Sequence, residues 1–212
     1  MLSLITMDKR SMYVQAFSKY VPPEFASIPA DLLLQSEVHF KIVRGRKTKW
    51  GDFRPMGRKG KPQITVNGDL NPYAFLITTL HEFAHYHAFR AFGRSIQPHG
   101  KEWQTEYTSL LNQLLDTPYL PQSLHTALKR SLKTVKASSC SDVALSRVLL
   151  SFDSPKDDEH YLERLPKNTK FVLNDRVFVK GDKRRTRIQC LDIVSKKYYL
   201  IHLLAKVKPI NE

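Results

Sequence analysis

His81-Glu82-Phe83-Ala84-His85 is the stretch of this chain whose residue types and spacing could do chemistry. On a helix, four residues advance the chain by about 400°, so His81 and His85 would stack on one face and share one cation. Zinc suits that pair, because it accepts neutral imidazole and in catalytic sites keeps one position open for water. Glu82, one step round the helix, would reach that water rather than the metal. A third ligand is needed, and His99 in Gln97-Pro98-His99-Gly100-Lys101-Glu102-Trp103 is the best available residue, with Glu102 and Glu106 as runners-up. The spacing predicts one Zn2+ per chain at His81, His85 and His99. Glu82 is then the general base that takes a proton from the activated water before attack on a peptide carbonyl. Tyr86, His87 and Tyr107 are candidates for steadying the oxyanion; His87 on its own reads as a structural histidine.

The elements that must position these residues are legible around them. Asn71-Pro72 is a helix start, since Asn caps free amides and proline at the first helical position loses an amide that had no partner. That helix is expected to run from Pro72 to about Phe92, where Gly93 can end it. A further helix is expected from about Gly100 to Leu115, and another after Pro118 and Pro121, ending near Val135. Upstream, Met12, Tyr13, Ala16, Phe17 and Tyr20 recur at helical spacing over Lys9 to Tyr20, and a short helix is expected to carry Leu32 to Leu34. Val38, Phe40 and Ile42 alternate with polar residues as a strand does, and Gln63 to Asn67 reads as another strand.

Between those strands, residues 41–61 carry nine Lys or Arg against one acid, Asp52, with Trp50 and Phe53 interleaved. A basic loop or hairpin is expected, with Arg44, Arg46, Lys47 and Lys49 as candidate nucleic-acid contacts. The whole chain has a formal charge of +14 over 212 residues, which attracts polyanions and makes DNA a candidate partner; a merely solvated basic face is the competing reading. The two cysteines, Cys140 and Cys190, allow no cysteine-rich zinc module and fit a reducing compartment. No stretch approaches the roughly 20 apolar residues of a membrane span, and the N-terminal apolar run is too short for a secretory signal. A cytoplasmic location is expected.

From Lys136 to Glu163 the composition turns Ser-rich and then acidic, and a linker is expected over residues 138–164. Residues 165–212 hold twelve Lys or Arg and four acids and read as three or four short strands, with turns at Asn174-Asp175 and Gly181-Asp182. The run Lys183-Arg184-Arg185-Thr186-Arg187 would lie between strands, where Lys183, Arg184, Arg185 and Arg187 could contact phosphate or simply be solvated.

The stretch Thr78 to Gln104, TTLHEFAHYHAFRAFGRSIQPHGKEWQ, resembles the SprT-like zinc metallopeptidases, which include the eukaryotic Spartan proteases. Lys49-Trp50-Gly51 and Ile64-Thr65-Val66-Asn67 resemble the family's strand region, so the likeness covers roughly residues 8–135. The resemblance implies an α+β fold: a zincin-like metallopeptidase core over residues 1–137, made of a small sheet and the HExxH helix. It implies zinc on His81, His85 and His99, catalysis by Glu82, a protein substrate and an association with DNA. One departure is clear. Many relatives end in a zinc ribbon, whereas Cys190 is the one cysteine in residues 165–212. A small basic all-β subdomain is expected there, resembling a metal-free ribbon with Phe178, Ile188, Tyr199 and Leu200 as its core.

Overall fold

The computed structural model describes residues 8–46, 48–56, 60–134, 142–154 and 159–210. The chain forms two compact units, Met1–Asp153 and Ser154–Glu212, and is mixed α and β, with a small sheet in the first and a larger antiparallel sheet in the second.

In the first unit the helices are α1 (Lys9–Phe17), α2 (Ser27–Leu34), α3 (Pro72–Phe92), α4 (Lys101–Leu115), α5 (Gln122–Thr134) and α6 (Val143–Leu150); the strands are β1 (His39–Val43), β2 (Gly51–Arg54) and β3 (Gln63–Asn67). The sheet order is β1-β3-β2, with β1 parallel and β2 antiparallel to the central β3. Ile64 and Val66 of β3 are fully buried in the cluster that also takes Leu76, Leu80, Phe83 and Ala84 of α3. Phe40 of β1 continues that layer, stacked on Phe83 at 6.2 Å and edge-on to Phe17 at 5.2 Å.

The central helix starts and stops where its residue types require. The Asn71 side chain accepts the Ala74 N–H at 2.9 Å, Pro72 follows, and Gly93 at φ 76° breaks the helix, its N–H closing on the Phe89 carbonyl. Upstream the periodicity is a poorer guide. The first helix stops at Phe17 rather than Tyr20, and Met12 is exposed. It is set instead by the Asp8 cap on Ser11 and by a two-point Arg10–Asp31 ion pair to α2. The expected basic loop contains β2.

The linker expected over residues 138–164 is corrected at both ends. Residues 143–150 form α6, whose Leu145 and Leu149 are buried in the first unit's core. The Asn71 amide that caps α3 also donates to the Leu149 carbonyl and to Asp153 Oδ1. A Ser-rich flank hid a short helix that is apolar at six of its eight positions, all but Ser146 and Arg147. At the other end, residues 160–164 already belong to the second unit.

Among the described residues that unit contains β4 (His160–Tyr161), β5 (Lys170–Leu173), β6 (Arg176–Arg184), β7 (Arg187–Asp192), β8 (Tyr198–His202) and β9 (Lys206–Pro209), in the order β4-β9-β5-β6-β7-β8, so residues 165–212 hold five strands where three or four were expected. Asn174 and Asp175 both take positive φ and make the two-residue hairpin turn expected of them. Gly181-Asp182 is no turn. It is a bulge inside β6, where the register shifts between Lys180 and Lys183 and a Cβ on Gly181 would sit 2.5 Å from the Gln189 carbonyl oxygen. Phe171, Phe178, Ile188 and Cys190 form the interior with Leu162, Leu203 and Val207, while Leu200 is 54% exposed and Tyr199 is half-buried, so Leu200 is not core. Buried Asp192 fixes the β7–β8 turn by accepting the Val194 and Ser195 N–H groups and pairing with Arg176.

If α6 is part of the folded first unit, Leu149→Ala leaves a cavity and lowers stability by about 2–5 kcal/mol. Denaturant unfolding measures it, and a loss near zero would return residues 143–150 to the status of linker.

Candidate metal centre

His81 and His85 project from the same face of α3, one turn apart, and the chain returns a third imidazole to them through a short sequence of stops. Gly93 ends α3, residues 93–95 make one 3-10 turn, and His99 takes φ 61°, a left-handed conformation rare for a residue with a side chain. Gln104, one turn into α4, donates its amide to the His99 carbonyl at 2.9 Å and holds that turn. The three Nε2 atoms then lie 3.2, 3.1 and 3.2 Å apart, a near-equilateral triangle. These three histidines are close enough to bind one metal ion.

The triangle is not explained by hydrogen bonding among the rings. A ring nitrogen is a donor or an acceptor in any one tautomer, so three mutual contacts cannot all pair a donor with an acceptor. A cation accepts all three lone pairs at once. Burial lowers the pKa of each imidazole, His81 furthest and His85 to about 4, and the neighbouring histidines push His81 and His85 further down. All three are therefore neutral at neutral pH, which is the ligating form.

Trp103 of α4 forms the floor. It is 1% exposed and its ring lies 4.8, 5.2 and 4.7 Å from His81, His85 and His99, with Tyr107 stacked beneath at 4.7 Å. Its indole N–H also points to the His81 carbonyl at 3.4 Å. On the other side, the Phe53 ring of β2 lies parallel to His85 at 6.5 Å.

Glu82 is buried, and burial pushes its carboxyl up to about 8; Asp52 adds to the rise, while Arg46, Lys49 and the Phe53 backbone N–H oppose it. Its carboxylate lies against β2 at Gly51, where a Cβ would come within 2.5 Å of Glu82 Oε1 and 2.7 Å of Thr78 Cγ2. Glycine at 51 is what lets the strand pass so close. The carboxyl is thus enclosed between α3 and β2, on the residue next to His81.

The other expectations divide. Glu106 faces His87 Nδ1 at 3.5 Å, and neither Glu102 nor Glu106 joins the group of potential ligands among the described residues. The Tyr86 hydroxyl accepts from the Glu37 N–H and from Arg90, Tyr107 is buried under Trp103, and His87 pairs with Glu106, so each already has a structural role. Of the first basic segment, Arg46 is spent on Asn67 Oδ1 and Thr65 Oγ1, and Lys49 on Asp52; Arg44 is exposed, and Lys47 lies outside the described residues. Lys183, Arg184, Arg185 and Arg187 are exposed together at the tip of the β6–β7 hairpin. Sequence reasoning missed Gly51, Trp103 and Gln104 as parts of the centre. Trp103 and Gln104 had a signal, lying four and five residues after the third ligand at the start of an expected helix.

No protein-family model, no curated protein and no solved structure matches the chain.

Trp103→Ala is expected to cost about 3–5 kcal/mol of stability and to weaken metal uptake. His99→Ala removes metal uptake with little change in the stability of the metal-free protein. Denaturant unfolding and metal stoichiometry by mass spectrometry separate the two, and metal retained in His99→Ala would rule out the triad.

Proposed function

We propose that this protein is a zinc-dependent metallopeptidase of the SprT-like kind, with a zincin-like core in its first unit. The observation that carries the reading is the Nε2 triangle, two of whose imidazoles stand on the helix that also bears the buried Glu82. Zinc held at about 2.0–2.1 Å by three imidazoles in tetrahedral array puts its nitrogens about 3.3 Å apart, and the observed separations are 3.1 and 3.2 Å. A fourth protein ligand, which a structural zinc would want, is absent from the group among the described residues.

His81, His85 and His99 would hold the ion, and bound zinc supplies Lewis acidity and an acidified water. The chain's own groups do the rest. Glu82 would take a proton from water and hand it to the departing amine. Trp103 and Phe53 exclude bulk water from two sides of the imidazoles. Strand β2 is at the edge of its sheet, beside Glu82, so an extended peptide can add to it through main-chain hydrogen bonds and bring a carbonyl to the centre.

Purified protein is expected to carry about one zinc per chain. Glu82→Gln should keep that zinc and lose about 10²–10⁴-fold in cleavage of an unfolded protein substrate, read by gel or mass spectrometry with and without DNA. Absence of zinc, or undiminished cleavage by the variant, would sink the assignment.

A second reading, nucleic-acid binding and hence DNA-associated protein substrates, is supported by the four exposed cations at the β6–β7 tip. Charge reversal at Arg184 and Arg185 should then weaken oligonucleotide binding at low salt and flatten its salt dependence by about 0.9 log units per lost phosphate contact. Unchanged affinity would remove this reading and leave the peptidase untouched.

A further inference from the structure

The stripe of α3 that presents the two metal-binding histidines does not end with them. His81, His85, Phe89 and Phe92 stand at i, i+4, i+8 and i+11, which is one face of a helix. Phe92 therefore lies about 10 Å along the axis from His85. Strand β2 runs beside this stripe, with Gly51 against Glu82 and Phe53 against His85, Tyr86 and Phe89, the last at 5.8 Å between ring centroids.

Exposure rises along the row. His85, Phe53 and Phe89 are half-buried, Phe92 is 53% exposed, and Met56, two residues past β2, is 63% exposed. Phe53 packs against the first unit's core, whereas Phe89 and Phe92 lie outside it; α3 gives the core other residues, among them Leu76, Leu80, Phe83 and Ala84. Single exposed apolar side chains are ordinary. An aromatic row continuous with a metal centre and flanked by an edge strand is a shaped surface, because a peptide paired along β2 would carry every second side chain over it.

We propose that Phe53, Phe89 and Phe92 form a substrate subsite that takes a bulky apolar side chain of an extended peptide, close to the bond presented to Glu82. This rests on the peptidase reading and adds to it a class of substrate: unfolded or extended segments with Leu, Ile, Phe or Met near the cleaved bond. Compact, polar surface loops would be poor substrates. Seating one such side chain on the row corresponds to a preference on the order of ten- to a hundredfold over serine at that position.

The test uses the full chain carrying Glu82→Gln, which prevents turnover, and two fluorescein-labelled decapeptides that differ only in two central residues, Leu-Leu against Ser-Ser. Fluorescence anisotropy is expected to show the Leu-Leu peptide binding at least tenfold tighter. Adding Phe92→Glu, or separately Phe89→Ser, should erase the difference while zinc content and the far-ultraviolet circular dichroism stay as they were. Equal binding of the two peptides, binding of neither, or a preference that survives both substitutions overturns the subsite. Incubating the same peptides with the unsubstituted chain keeps the two claims apart. Cleavage of both at one rate removes the subsite and leaves the peptidase, whereas a Leu-Leu binding preference without cleavage removes the peptidase and leaves an apolar peptide-binding row.

Discussion

Three neutral imidazoles aimed at one point are the constraint on which the first unit turns. Whatever their tautomers, the three Nε2 contacts cannot all be satisfied as hydrogen bonds, and burial disfavours a proton on each ring. The surroundings read as the means of enforcing this convergence. Helix α3 fixes two rings by its own pitch. Gly93 and the left-handed backbone of His99 bring back the third, and α4 locks it through Gln104 and Trp103. A stack of Trp103 on Tyr107 supplies rigidity from below, and that stack belongs to the same buried cluster as the rest of the core. Packing and ligand geometry are thus one problem here.

Glu82 depends on a different economy of space. Its carboxyl is kept from water by β2, and the strand can lie there because residue 51 has no side chain. The same approach that raises its proton affinity places an edge strand of the sheet next to it. In the peptidase reading, the strand that tunes the base also receives the substrate, and the aromatic row beside it extends the contact outward.

The centre was legible in the sequence to an unusual degree, because its ligands are fixed by helix pitch and by two stop signals. Asn71, Pro72 and Gly93 bound α3 as their types dictate, and His99 needed only the knowledge that the chain must turn back after Gly93. What escaped was set by tertiary contact. Gly51 reads as one glycine in a basic loop until the Glu82 carboxylate is placed against it. Arg46 and Lys49 read as surface cations, yet hydrogen bonds to Asn67, Thr65 and Asp52 draw them in. Gly181-Asp182 carries the composition of a turn and makes a bulge, since only the partner strand's close approach at Gln189 separates those outcomes. Helix α6 was hidden by its brevity and its Ser-rich approach.

That last helix bears on where the first unit can be cut. The Asn71 side chain works in two directions, its oxygen on the Ala74 amide and its nitrogen on Leu149 and Asp153. A chain shortened to residue 137 would keep His81, His85, His99 and Glu82, and would hold the whole candidate site on paper. It would nonetheless lose the two acceptors that orient the capping amide at the head of α3, along with the core packing of Leu145 and Leu149. The first compact unit thus extends to Asp153, sixteen residues beyond the 137 at which the family resemblance would end it.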